Sequence, residues 1–330
     1  PLDWRADELL TEDEKYFGKL DWNINDRHRA VVSYQQTEGG ILNLGGTSTS
    51  GTLPSLGLLS QAYTLQSNLK TYKGQIFSDW TDRFSTELSF SRKEVENISS
   101  NLAGSDFASF QVYLDPLPGS TARRSIRFGP DRSRHANALT VDTDQFRLTG
   151  TYRADFGHTF NFGYEREQID IFNLFVQFAN GEYEFANLND FRNRRASSIG
   201  YQSAASNNKN DGGAAFGYAL NTLFAQDEWE VTPELTLNLG FRFDWYETDD
   251  APLANPLFEQ QYGFRGDSTI DGISVLQPRF GFNWQATDTL TVYGGIGRFQ
   301  GGSPNVWVSN NYTNTGNLLG IFQCRRNGYT

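Results

Sequence analysis

The sequence predicts an all-β fold, a transmembrane antiparallel up-and-down β-barrel wall of about ten strands. Three observations carry this expectation. First, Leu235, Leu237, Leu239, Phe241, Phe243 and Trp245 alternate with Thr236, Asn238, Gly240, Arg242 and Asp244. A strand turns neighbours to opposite faces, so one face is wholly apolar and the other is polar or charged. Second, a hairpin signature recurs. Trp229-Glu230-Val231-Thr232-Pro233 matches Trp22-Asn23-Ile24-Asn25-Asp26 and Trp284-Gln285-Ala286-Thr287-Asp288, and Trp80-Thr81-Asp82 is a shortened form. Four of the seven Trp thus sit just before a short turn, which predicts an aromatic girdle of Trp22, Trp80, Trp229 and Trp284. Third, tight turns alternate with loops of roughly 25–50 residues, the asymmetry of short periplasmic turns and long outer loops. A soluble sandwich rarely keeps every second connection long.

Composition is compatible with this class. The 330 residues are 38% hydrophobic and 15% aromatic, with a mean hydropathy of −0.55. No stretch approaches eighteen consecutive apolar residues, which excludes a transmembrane helix but not a barrel, where only alternate residues meet lipid. The net charge of −11, with no basic stripe, argues against nucleic-acid binding. A single cysteine, Cys324, allows neither a disulfide framework nor a zinc spacing. There is no Met and no signal-peptide pattern. Together with the strand count, this reads as a truncated piece of a longer barrel, residues 1–330 being part of one barrel domain without a plug.

Taken in order, residues 1–14 are acidic and aperiodic, expected as a turn or short helix entering the sheet. The first hairpin turns at Asn25 and Asp26, with Tyr16, Gly18, Leu20, Trp22 and Ile24 on one face and Ala30, Val32 and Tyr34 on the return. A loop is expected over 37–71, rich in Gly, Ser and Thr. The second hairpin turns at Thr81, Asp82 and Arg83, and Phe84, Leu88 and Phe90 oppose Ser85, Glu87, Ser89 and Ser91. Another loop, over 96–141, is followed by a hairpin with Phe146, Leu148 and Tyr152 in phase, then Phe160, Phe162 and Tyr164, around a turn from Ala154 to Gly157. The longest loop covers 171–217 and precedes the hairpin turning at 231–234. The fifth hairpin turns at Thr287, Asp288 and Thr289, and 301–330 reads as one more loop.

The chain also resembles the TonB-dependent outer-membrane receptors, and within them the Oar-like branch. The resemblance is carried by Leu223-Phe224-Ala225-Gln226-Asp227-Glu228-Trp229 with the strand from Leu235 to Asp244, and by Gln277-Pro278-Arg279-Phe280-Gly281-Phe282 with Leu290 to Gly295 and Arg298-Phe299. Tyr16 to Trp22, and the loop segments Ile171 to Gln177, Gly181 to Phe185 and Asn189 to Phe191, add to it. It implies a fragment of a 22-stranded barrel plugged by an N-terminal domain. The implied role is TonB-energised uptake of a scarce small solute or peptide across the outer membrane. Implied partners are outer-membrane lipid, the protein's own plug and TonB. A passive porin-like or structural surface barrel, or a secreted carbohydrate-binding β protein, are the rival readings.

Catalytic chemistry finds little support. His28, His135 and His158 offer little, since His28 and His158 begin strands beside turns with no Ser or Cys partner close in sequence, and no enzyme is expected. Gly294, Gly295, Gly297, Gly301 and Gly302 precede no helix and read as strand or hinge glycines, not a phosphate loop. The run 206–213 lacks the alternating acids and closing Glu of a calcium loop, and Asn311-Tyr312-Thr313 carries no weight as a glycosylation signal. No cofactor or metal is expected. Glu87, Arg242 and Asp244 lie opposite the apolar stripe, so that face meets water, a plug or a channel. The loop 171–218 concentrates aromatic residues, and two readings stand. Either the loop packs on itself as a short hairpin and helix, or Phe175, Tyr183, Phe185 and Phe191 present rings to a solute.

Overall fold

The computed structural model describes residues 11–104, 106–302 and 305–326. It opens with the hairpin β1 (Asp13–Asn25) and β2 (His28–Asn43), and the following loop carries the short strand β3 (Ser55–Gly57). The second hairpin is β4 (Tyr63–Thr81) and β5 (Phe84–Asn101), followed by β6 (Ser109–Tyr113) and β7 (Ser125–Phe128). The third is β8 (Ala136–Arg153) and β9 (His158–Val176), followed by β10 (Glu182–Phe185), α1 (Leu188–Arg192) and β11 (Ser198–Ala204). The fourth is β12 (Ala214–Thr232) and β13 (Leu235–Glu247), followed by α2 (Pro256–Tyr262). The fifth, β14 (Ser274–Thr287) and β15 (Leu290–Gly297), leads to α3 (Asn305–Thr313) and β16 (Leu319–Arg325).

The five hairpins form one ten-stranded antiparallel sheet in simple up-and-down order. The loop strands form a second, six-stranded sheet in the order β16-β11-β10-β6-β7-β3, with β6–β10 and β3–β7 paired parallel. Helix α3 packs on one face of the large sheet, where Ile169, Ile171, Phe216, Tyr218 and Tyr246 make a buried core with Val308 and Tyr312. We call this the inner face.

Register places the expected apolar stripe on the other, outer face. Leu223, Ala225 and Trp229 stand opposite Phe243, Phe241 and Leu237, and Phe243, Leu239 and Leu237 stand opposite Leu276, Phe280 and Phe282. Leu239 and Phe241 are 43% and 47% exposed, whereas Asp244, on the inner face, is 4% exposed.

Four of the five turns share one local mechanism. Each first strand carries a register shift just at or after its Trp, between Asn23 and Asn25, Asp79 and Thr81, Glu230 and Thr232, and Gln285 and Thr287. The residue after the shift then caps a two-residue turn with its side chain. Asn25 Oδ1 accepts from the amides of Arg27 and His28, and Thr81 Oγ1 from those of Arg83 and Phe84. Thr232 and Thr287 accept from Glu234 and Thr289. Short Asx and ST side chains supply such bonds where a ladder must reverse. The Trp-less hairpin β8–β9 turns differently, with Phe156 and Gly157 at positive φ. A Cβ on Gly157 would lie 2.5 Å from the carbonyl oxygen of Glu230, so only glycine fits.

The expected loops are shorter than read from sequence. Strand β2 continues to Asn43, β4 starts at Tyr63, β5 runs to Asn101, β8 starts at Ala136 and β9 runs to Val176. The tail also contains α3 and β16 where one loop was expected. The physical reason is that alternation marks a strand only where one face meets lipid. Higher up, outward positions turn charged while the ladder continues. Arg92 there bridges Glu94, Asp142 and Asp144 at 2.9–3.0 Å. Strand β1 begins at Asp13, inside the segment read as a turn or short helix, and residues 1–10 of that segment lie outside the described residues.

Candidate functional site

Two regions carry polar or aromatic side chains beyond what the fold requires: the inner face of the wall and the loop sheet. On the inner face, β13 presents Arg242 and Asp244 two residues apart, hence side by side. Arg242 Nε lies 2.8 Å from Asp244 Oδ1, and its Nη2 donates to Thr222 Oγ1 at 2.8 Å. Asp244 also accepts from Thr222 (2.7 Å) and from Gln277 Nε2 (2.6 Å). Across β12, Arg242 reaches Glu165 at 3.4 Å, and Glu165 binds Arg147 at 2.9 Å.

On the other side, Gln277 accepts from the backbone of Gln300, whose side chain donates to Tyr246. The chain of contacts thus runs from β8 to β14 and the segment after β15. A carboxylate this buried is tolerable because three donors satisfy it. A cavity of about 300 Å³ opens beside Asp244, Gln277 and Gln300, with Gly301 and Gly302 on its rim. The glycine run read as strand and hinge therefore splits, with Gly294, Gly295 and Gly297 in β15 and the last two at the cavity. Glu87, the third expected inner charge, accepts from Gln75 at 2.9 Å.

The loop sheet places three of the four aromatic candidates together. Tyr183 stacks on Phe110 (5.5 Å between ring centres), and Phe110 on Phe128 (5.1 Å). Phe191 meets Phe128 and Phe185 edge-on at 5.6 and 5.2 Å. Phe185 is buried, and Asn187 caps α1 by accepting from the Asp190 amide. Strands β10 and β11 pair antiparallel, so the segment forms the hairpin and helix that self-packing required. Phe175 is on β9, opposite Asn137, outside this stack. His135, in the same loop layer, is 2% exposed. Its Nδ1 accepts from the Asn180 amide at 3.1 Å, and burial pushes its pKa down to about 4. In the run 206–213, Asp211 is occupied by Ser206 and Asn208. Among the described residues no cluster of three His, Cys, Asp or Glu is placed to hold a metal.

The Trp residues stand on the outer face beside the turns. Trp22, Trp80 and Trp284 are exposed. Trp229 is covered by His158, stacked on it at 5.0 Å, and His28 meets Trp80 edge-on at 5.2 Å. A second aromatic row, missed from sequence, lies farther from the turns: Tyr34 with Tyr72 at 5.1 Å, Phe146 with Tyr164 at 6.3 Å, and Tyr164 with Trp245 at 6.3 Å. Its signal was available. Tyr16 is six residues before Trp22, and Tyr34 and Tyr164 six after His28 and His158, about 20 Å along a strand.

No curated protein matches the sequence. Among solved structures, the chain is similar to the outer membrane transporter YddB from Escherichia coli, with a TM-score of 0.56 at 12% identity over 96% of this chain and 34% of that one. It is also similar to the ferric-catecholate import receptor Fiu from Escherichia coli K12, with a TM-score of 0.51 at 15% identity over 92% of this chain and 47% of that one. A third match is the FrpB iron transporter from Neisseria meningitidis, with a TM-score of 0.51 at 11% identity over 86% and 36%. At these identities the likeness is one of fold, and the chain spans about a third to a half of each protein's length. The sequence itself matches a family profile over residues 4–323, and the chain belongs to the outer membrane beta barrel domain family.

Proposed function

We propose that this chain is part of the wall of an outer-membrane active-transport receptor of the TonB-dependent class, in its Oar-like branch. The observation that carries the reading is the inner network of Arg147, Glu165, Arg242, Asp244 and Gln277. Charged groups set opposite a lipid face need water or protein beside them, and a plug domain would supply that partner. In this reading β1 and β15, which have one neighbour each in the sheet, pair with further strands, since an unpaired strand edge is not viable in lipid. The complete barrel then has 22 strands, and Trp22, Trp80, Trp229 and Trp284 form its girdle at the periplasmic interface. The outer loops capture a scarce small solute or peptide, with Phe175, Tyr183, Phe185 and Phe191 as candidate contacts. The role is carriage, not catalysis.

The test uses the full-length protein. In a planar bilayer it should show no steady ionic current, and the purified periplasmic domain of TonB should bind it. A steady open-pore current with no TonB binding would instead make it a passive porin-like barrel.

A further inference from the structure

Arg279 stands on the inner face of β14 in a clearing of glycines. Gly240 on β13 and Gly297 on β15 are its direct opposites, and Gly281, the next inward residue of β14, stands opposite Gly295. The positions around one guanidinium therefore carry no side chain. The wall itself accounts for three of them. A Cβ on Gly240 or Gly295 would lie 3.1 or 2.8 Å from a backbone carbonyl oxygen, and one on Gly297 would lie 3.0 Å from the Phe299 ring. Gly281 has no such reason, since the atoms nearest to a Cβ there are at 3.7 Å, an ordinary contact. The ladder is in continuous register through this stretch, so no bulge explains it. Glycine inside a strand weakens it, and without a bulge it marks a place where another group comes close to the backbone.

The guanidinium in this clearing is exposed and lacks a carboxylate. Its neighbours Arg147 and Arg242 are paired with Glu165 and Asp244, and Thr222 and Gln277 close the rest of Asp244. Arg147, Arg242 and Arg279 against Glu165 and Asp244 leave one positive charge unmatched. Among the described residues Arg279 makes no hydrogen bond or ion pair, and its contact is the Phe299 ring, whose centre is 4.7 Å from the guanidinium carbon. A ring face steadies the planar fork without consuming its N–H groups. Hollows open on both sides of Arg279: the cavity beside Asp244, Gln277 and Gln300, and one of about 170 Å³ over Gly240, between Arg279 and Arg242.

Charge complementarity gives the chemistry of the occupant. An exposed, unmatched guanidinium fork calls for a carboxylate, which it binds through two parallel N–H bonds. The clearing says what carries that carboxylate. It extends over β13, β14 and β15, about 10 Å of wall at the usual strand spacing, bounded by the Phe299 ring. Small solutes are held in concave pockets, whereas a strip of sheet cleared of side chains suits a polypeptide backbone lying on it. We propose that Arg279 and the glycine floor are the docking site of an acidic segment of the plug domain. Its backbone lies over Gly240 and Gly281, and one Asp or Glu side chain reaches the hollow beside Arg279. This contact rests on the reading of the wall as that of a plugged receptor, and it adds where the plug is held and by which charge.

The test is photo-cross-linking in the full-length protein, with p-benzoylphenylalanine in place of Asn238, which faces inward opposite Gly281. With Arg279 intact, the probe should cross-link to a peptide that lies outside residues 1–330 and contains Asp or Glu. Arg279→Glu should lower the yield about tenfold, since like charges then meet. Gly281→Leu, which fills the floor and leaves the charge, should lower it by a similar factor. Heat-modifiable gel mobility reports folding, and Arg279→Gln, expected to act in the same direction, serves where Arg279→Glu does not fold. Free citrate at about 1 mM should not compete, because a tethered segment has the higher effective concentration. Loss of the cross-link to citrate would make Arg279 a site for a small acid and overturn the proposal. A yield left unchanged by the Arg279 variants or by Gly281→Leu would overturn it too. A barrel that passes no current yet gives no cross-link would overturn this contact alone, and a steady open-pore current without a cross-link would overturn the plugged-receptor reading with it.

Discussion

Arg242 and Asp244 stand two residues apart on β13, on the face opposite Phe241 and Phe243, with their charged groups 2.8 Å apart. Asp244 is almost fully enclosed, and Thr222 and Gln277 complete its shell. Replacing Asp244 by Leu leaves Arg242 facing an apolar group and strips three donors of their acceptor. In the full-length protein this should lower the unfolding free energy by about 2–4 kcal/mol, toward the low end because Arg242 keeps some solvent. The double change Asp244→Leu with Arg242→Met should recover much of the loss. Urea unfolding in vesicles measures both, and purely additive losses would mean that the two residues are not coupled.

The two faces of β13 should respond differently to the same charge. Phe241→Arg places a guanidinium on the outer face and should cost about 2–4 kcal/mol near mid-depth. Thr236→Arg, on the inner face, should cost much less. Equal penalties would argue against a lipid face on this strand.

The turn mechanism makes a separate prediction. Thr81 Oγ1 and Asn25 Oδ1 each accept two backbone amides, whereas Thr232 Oγ1 accepts the amide of Glu234 at 3.3 Å. Thr81→Ala and Asn25→Ala should each destabilise the barrel by about 1 kcal/mol. Thr232→Ala should cost less. The same unfolding assay ranks the three, and the order would fail if Thr232 proved the most sensitive.

The loop layer should loosen in mild acid. His135 is held neutral, its pKa pushed by burial from 6.5 down to about 4. Between those values the unfolded loop takes up a proton that the folded one refuses. Stability of this layer is therefore full above pH 6.5 and falls as pH drops toward 4, by about 3 kcal/mol at most. Hydrogen exchange at 130–135 and 177–181 should accelerate across that window. In a His135→Gln variant the pH dependence should vanish, and an unchanged profile there would assign it to another group.

How much of this was legible follows from where lipid imposes a rule. All five hairpins and their turns were readable, because outward residues such as Leu237, Leu239 and Phe241 must be apolar and a Trp repeats beside four of the five turns. Above the second aromatic row that rule lapses. Arg92 and Glu94 continue the outward phase of Leu88 and Phe90 as charged groups, so the strand ends were misplaced. The loop sheet was illegible for another reason. Its strands run from three to seven residues, and β6–β10 and β11–β16 join segments far apart in sequence, so no local pattern announces them. Arg242 and Asp244 were placed on the correct face from alternation. Gln277 and Gln300 were not found, because a polar residue opposite a polar face carries no signal until the register of β14 is known.

The alternation of β13 is the claim on which the outer face and the inner network both depend. Spin labels placed singly at 238–244 in the full-length protein, reconstituted in vesicles, read it directly. Labels at Leu239, Phe241 and Phe243 should be reached by oxygen dissolved in the bilayer. Labels at Asn238, Arg242 and Asp244 should not be, and should respond only to a water-soluble relaxant. A pattern shifted by one residue would put Arg242 in lipid and reverse every face assigned here, and a pattern without alternation would mean that this strand does not line a membrane at all.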